Sequence, residues 1–311
     1  MNTPDMQSAL GGAAGSHAAL LHELAIVLYT GAALIFIVVI TLALLGAFSK
    51  PKPVRWQRWI IGGGLAFPIA TLSALLVYSL SIGNSLEVHP PGDALRIEII
   101  GRQWWWEVRY IHPDGDGEVV LANEVHLPTG RPAHLTLKTG DVIHSFWVPP
   151  LAGKVDMIPG RTNHLVVRTD EPGIYRGQCA EYCGAQHALM ALYVVAESHE
   201  DFERWLLQQA QPIARPADAG QQRGYDLFFH GECHTCHAVR GTPAVSSLGP
   251  DLTHVGSRRS LAAGVLRNHV GTMAGWIAGA QDLKPGNRMP SMNVYTGDEL
   301  RALSQWLESL E

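Results

Sequence analysis

Gly177-Gln178-Cys179-Ala180-Glu181-Tyr182-Cys183-Gly184-Ala185-Gln186-His187-Ala188-Leu189-Met190 puts two thiols, an imidazole and a thioether within twelve positions of one loop. Soft sulfur together with imidazole suits copper, and one Cys, two His and a weak Met already make the donor set of a mononuclear blue-copper site. One more His completes that set, and His144, in Asp141-Val142-Ile143-His144-Ser145-Phe146, follows a strand that a β sandwich can bring against the loop. The second Cys changes the chemistry. Two thiolates can bridge two metal ions, so an added electron is shared and bond lengths change little on transfer. The competing reading is a Cys179–Cys183 disulfide, the default on the oxidising side of a membrane. The spacing, the order of donors and the upstream His argue against it.

Around the loop the chain reads as short strands. Leu95, Ile97 and Ile99 alternate, followed by Leu135 and Leu137, by Leu165 to Val167 and by Ala191 to Val195. The turn signals Asp114-Gly115-Asp116-Gly117, Pro128-Thr129-Gly130 and Glu171-Pro172-Gly173 divide them, as in an antiparallel sandwich or barrel. A helix is expected over Glu200 to Ala210, and Gln211 to Gln222 has the Pro, Ala, Gln and Gly content of a flexible linker.

Downstream, Cys233-His234-Thr235-Cys236-His237 is the C-x-x-C-H signature of c-type haem attachment. Two thiols on one helical turn can form thioethers, and the adjacent imidazole reaches the iron from the same side. Thr296 and Glu299 predict a capping box for a last helix whose Leu300, Leu303, Leu307 and Leu310 share a face. His230, His254 and His269 flank the haem signature without a ligand pattern and are expected at the surface, while His89, His112, His126, His134 and His164 are assigned no role.

Upstream, Leu24 to Phe48 and Trp59 to Leu86 carry no charged side chain, and each is long enough to cross a hydrocarbon core of roughly 30 Å. The loop between them holds Lys50, Lys52, Arg55 and Arg58, and no Lys or Arg precedes Lys50, so the positive-inside rule places this loop in the cytoplasm and both chain ends outside. A signal peptide with a single anchor is the rival reading, but Met1 to Leu20 lacks the basic n-region. Of the 311 residues 47% are hydrophobic, and the net charge of −5 gives no reason to expect a nucleic-acid partner.

The Gly177–Met190 loop, the His144 segment and Gln103-Trp104-Trp105-Trp106 together resemble cytochrome oxidase subunit II, from the apolar helices to about Val195. The resemblance implies a cupredoxin fold around a binuclear copper centre, CuA. Its ligands would be His144, Cys179, Cys183, His187, Met190 and the backbone carbonyl of Glu181, with the Glu181 carboxylate facing a magnesium ion shared with subunit I. It also implies Trp104 as the point where electrons enter. The segment Leu248-Gly249-Pro250-Asp251-Leu252, Tyr225 with Phe228, and Arg288-Met289-Pro290 resemble a class I cytochrome c. That likeness implies a haem c held by Cys233, Cys236 and His237 with Met289 as sixth ligand, Met292 and Met273 being the alternatives.

The expected architecture is therefore a membrane-anchored multidomain chain. A two-helix transmembrane hairpin occupies 1–86, an all-β cupredoxin domain 87–200, a helix and linker 201–222, and an all-α cytochrome c domain 223–311. The implied function is that of the electron-accepting subunit of a haem-copper oxidase in a bacterial cytoplasmic membrane, multi-pass, with both soluble domains on the periplasmic side. Electrons would come from a soluble or membrane cytochrome or another donor. They would leave to subunit I, with its haem a, haem a3 and copper B, beside a subunit III. This chain has no His-rich membrane helix, so oxygen reduction is expected in the partner. A CuA-type subunit of a nitric oxide reductase and a tethered electron carrier without catalytic partner are the alternatives.

Overall fold

The computed structural model describes residues 12–50, 53–86, 92–111 and 118–311. His89, His112 and the Asp114 to Gly117 turn lie outside them.

Two apolar helical stretches form one unit. Helix α1 (Ser16–Phe48) has a mean hydropathy of 2.7 over its most apolar window, and the second stretch, Trp56–Asn84, reaches 2.0; both are long and apolar enough to cross a membrane. The second is continuous but not uniform. It opens as α2 (Trp56–Arg58), widens into a π-helical segment (Trp59–Ala66) and continues as α3 (Phe67–Ser85). Gly62, Gly63 and Gly64 sit in the widened turns, where the absence of Cβ atoms eases the looser i→i+5 pattern. Tyr78 donates to Glu23 Oε1 at 3.0 Å, tying α3 to α1.

The second unit begins with a sandwich of two five-stranded sheets. One runs β3 (Glu118–Ala122), β2 (Trp105–Ile111), β1 (Leu95–Arg102), β5 (Ala133–Thr139), β8 (Asn163–Val167). The other runs β4 (Glu124–Pro128), β10 (Ala191–Glu197), β9 (Gly173–Cys179), β6 (His144–Trp147), β7 (Val155–Met157). Alternate residues of β1 point inward, so Leu95, Ile97 and Ile99 join Leu135, Leu137 and Phe146 in a single core. The sandwich is not wholly antiparallel. β1 pairs parallel with β5, and β4 parallel with β10, because the chain crosses to the second sheet after β3 and returns for β5.

Helix α4 (His199–Ala210) starts one residue earlier than expected, capped by Ser198, and buries Phe202 in the sandwich core with Tyr110 and Trp205 alongside. The stretch read as linker is shorter and tighter than its composition suggested. Asp218 caps α5 (Ala219–His230), so helix replaces coil from Ala219 onward. The remaining residues are held: Ile213 N–H donates to Arg240 O, the Arg240 guanidinium donates to Gln209 O, and His254 Nε2 meets Gln211 O. His254 is thus a buried residue rather than a surface one, its other nitrogen facing Glu311 O.

The helical domain closes around α5 and α8 (Gly297–Glu308), with α6 (Val270–Ala278), α7 (Ala280–Leu283) and a small hairpin, β11 (Ser260–Leu261) and β12 (Leu266–Arg267). The capping box at Thr296 and Glu299 is formed. Leu303, Leu307 and Leu310 are buried beside Phe228 and Trp306, whose rings stand 5.2 Å apart. Gly224 is where α5 meets α8: a Cβ there would stand 2.5 Å from Trp306 Cβ and closer still to Ala302 O.

Candidate copper and haem sites

β6 and β9 are neighbours, with Phe146 opposite Cys179, so His144 at the start of β6 comes up beside the thiol that ends β9. The loop after Cys179 returns to its own base. Cys179 N–H donates to Met190 O at 2.9 Å, and a short 3-10 turn (His187–Leu189) aims His187 back over the cysteines.

The result is a compact donor cluster. Cys179 Sγ lies 3.7 Å from Cys183 Sγ, 3.8 Å from His144 Nδ1 and 3.2 Å from Glu181 O. Cys183 Sγ lies 3.7 Å from His187 Nδ1 and 3.9 Å from Met190 Sδ. A disulfide needs about 2.05 Å between sulfurs, so the two cysteines are free thiols. Two ligands roughly 2.3 Å from one first-row ion at a tetrahedral angle are about 3.8 Å apart, which the sulfur and nitrogen separations match. The set offers each thiol its own imidazole: His144 beside Cys179, His187 beside Cys183. The two thiols are coupled: the hydrogen bond with Cys183 lowers the Cys179 pKa, burial opposing, while Cys179 and burial push Cys183 up.

The supporting residues orient these donors. Asp141 Oδ1 takes the Nε2 proton of His144 at 2.8 Å, leaving Nδ1 to face the sulfur. Burial would lower the His144 pKa, but Asp141 and Cys179 raise it; Asp141 is itself held low by His144 and by the N–H groups of Gln103 and Val142, against its burial. Gly101 makes room, since a Cβ there would stand 2.9 Å from the His144 ring. Trp104 Nε1 and Gln103 Nε2 both donate to Cys183 O, at 3.0 and 2.9 Å, and Gly184, with φ of +114°, lets the Trp104 ring lie over the loop. The Glu181 carboxylate lies 3.6 Å from Lys154 Nζ.

In the helical domain, Cys233 and Cys236 stand on one turn, with His237 N–H bonded to Cys233 O. His237 Nδ1 lies 2.7 Å from Pro250 O, which fixes the proton there and leaves Nε2 as the free donor atom. Burial holds this imidazole below its ordinary pKa, hence neutral, as a ligand must be. Gly249 packs against its ring, 2.7 Å from where a Cβ would stand. Arg258, whose charge also reaches His237, is partly buried; its Nη2 donates to Asp251 O, and its Nε has no partner. The one unpaired N–H of this guanidinium, close enough for its charge to reach His237, suits an anionic group such as a haem carboxylate. Met289 borders the helical core, its N–H held by Asn287 and its carbonyl by Gln281 Nε2. Met292 also borders the core, and Met273 is inside it.

The two domains touch beside the Cys179–Cys183 donor cluster. Arg259 N–H donates to the buried Glu124, Ala191 N–H to Ala263 O, Gln186 Nε2 to Pro285 O, and Lys284 Nζ to Trp104 O at 2.9 Å. Ala262 and Ala263 adopt left-handed φ values of +54° and +60° at the tip of the β11–β12 hairpin. Burial pushes the Lys284 ammonium down to about 7.

Residues 115–198 match the family described as cytochrome c oxidase subunit II, periplasmic domain, and residues 221–311 match cytochrome c. Cytochrome c oxidase subunit 2 of Alkalihalophilus pseudofirmus is 36% identical over 70% of this chain and 62% of its own length. The Bacillus subtilis protein of that name is 28% identical over 86% and 78%. A probable cytochrome c oxidase subunit 2 of Rickettsia bellii is 31% identical over 61% of this chain and 76% of that one. The chain belongs to the cytochrome c oxidase subunit II family. It is a subunit II with a fused C-terminal cytochrome c domain, spanning under two thirds of several relatives that it matches. As such it combines a copper-type cupredoxin domain with a haem-type one.

Several residues that contact the candidate sites of this subunit II were not singled out from sequence. Asp141, three residues before His144, carried a signal in its spacing. Arg258, Gln186 and Lys284 carried none, because their roles arise from where two domains meet or a pocket closes.

Proposed function

We propose that this chain is the electron-accepting subunit of a haem-copper terminal oxidase. When bound, a covalent haem c and a binuclear copper centre would supply the one-electron carriers between an outer donor and subunit I, where oxygen is reduced to water. The observation that carries this reading is the pair of unbonded thiols 3.7 Å apart, each flanked by its own imidazole.

In this reading Cys179, Cys183, His144, His187, Met190 and Glu181 O would hold the copper, whose soft sulfur and imidazole donors suit one-electron transfer. The loop, closed at its base by the Cys179–Met190 hydrogen bond, holds these donors fixed through redox change. Cys233, Cys236, His237 and Met289 would hold the haem. Trp104, bonded to Cys183 O, is the point where electrons reach the copper loop. The Glu181 carboxylate would help to hold a magnesium ion shared with subunit I. The two apolar helices anchor the chain as a multi-pass protein of the bacterial inner membrane with both soluble domains outside, next to subunits I and III.

The test is metal and haem analysis of the full chain purified in mild detergent. Two coppers, one covalent haem, a mixed-valence copper spectrum and co-isolation with a large haem-containing subunit are expected. A chain with one copper, or one that purifies alone while fully loaded, would overturn the assignment.

A further inference from the structure

We infer that Lys284 is the positioning residue that seats the cytochrome domain on the copper loop, holding the stretch that leads to Met289 against Trp104. The inference rests on the electron path proposed above.

Lys284 caps the C-terminal end of α7 and is 2% exposed. Its ammonium donates to two backbone carbonyls, one on each side of the domain boundary: Ala262 O at 3.0 Å in its own domain and Trp104 O at 2.9 Å in the sandwich. Among the described residues no carboxylate lies within salt-bridge reach of it. Taking an ammonium out of water without a counter-ion is costly, and an intradomain role would need only the Ala262 contact. The second acceptor is what makes the position specific.

The neighbouring residues act in the same direction. Pro285 O accepts from Gln186 Nε2, one residue before His187, and the Gly286 backbone, with φ of +81°, faces the Trp104 ring, whose Cη2 lies 4.0 Å from where a Cβ would stand. Three consecutive residues therefore meet the copper loop and its tryptophan. Met289 is three residues further on, in a loop braced by Gln281, whose Nε2 donates to both Asn287 O and Met289 O. The segment that docks on Trp104 and the segment that carries the proposed haem ligand are one short braced stretch. Fixing Lys284 fixes the spacing of both.

The experiment compares wild type, K284M and K284R as full chains loaded with copper and haem. It reads amide hydrogen exchange at 186–192 and 260–266, the haem and copper spectra, and the rate at which a pre-reduced haem reduces the copper site. Losing a charged hydrogen bond across the boundary should lower the docked population about tenfold. In K284M, exchange in both segments should rise and intramolecular reduction should slow about tenfold with both spectra unchanged, and K284R should recover part of each. Unchanged exchange and rate in K284M, or a copper spectrum altered in step with the rate, would overturn the positioning role. No reduction of copper by haem in wild type would instead sink the electron path on which it rests.

Discussion

Asp141 and His144 form a 2.8 Å carboxylate–imidazole contact that leaves Nδ1 of His144 directed at Cys179 Sγ, 3.8 Å away. The carboxylate selects the tautomer, and the tautomer selects the ligand atom. Asp141→Asn keeps the shape but can present an amide N–H to Nε2, favouring the wrong tautomer. Copper affinity should fall by about 10–100-fold, the usual effect of losing such a partner. Titration of the copper-free chain against a competing chelator measures it.

Met289→Ala should abolish the near-infrared sulfur-to-iron band of the oxidised haem while leaving covalent attachment at Cys233 and Cys236 intact. An unaltered band would transfer the ligand role to Met292 or Met273.

His126 is buried between Glu124, at 3.0 Å, and Glu197, at 2.7 Å, and stacks on Trp205 with centroids 3.8 Å apart. Burial alone would lower its pKa, but the two carboxylates raise it. A folded-state pKa above the unfolded value of about 6.5 means that the stabilisation is complete below that pH and lost as pH rises through the folded value. Urea unfolding of the soluble domains should therefore show a midpoint that falls from pH 6 to pH 8, and His126→Gln should flatten that slope.

Gly224→Ala should destabilise the cytochrome domain by about 1–3 kcal/mol through overpacking against Trp306 and Ala302. This exceeds the roughly 1 kcal/mol that Ala gains over Gly in a helix. Thermal unfolding followed by haem absorbance decides it; a raised midpoint would show that α5 and α8 have room to move apart.

What the sequence made legible was local. The alternation of Leu95, Ile97 and Ile99, the Thr296–Glu299 capping box and the clustered donors from Cys179 to Met190 each declare themselves within a few positions. His144 was reachable because a sandwich leaves few places for an imidazole that follows a strand. The rest depends on chain crossings and contacts between distant segments. The parallel pairing of β1 with β5 follows from a detour through the other sheet, and composition made 211–222 look loose because Asp218, the residue that starts α5, is an unremarkable Asp until its side chain meets Gln221 N–H. His254 looked like a surface residue for the same reason: its partners, Gln211 and Glu311, are 43 and 57 positions away.

The copper half of the soluble unit is not a free-standing piece. Glu124, Ala191 and Trp104 each spend a hydrogen-bonding group on the cytochrome side. Cutting the chain after α4 would leave a raw surface there, with a sheltered carboxylate suddenly wetted and the Ala191 N–H deprived of its acceptor. Work on the isolated fragment would then report on a wound as much as on a metal site.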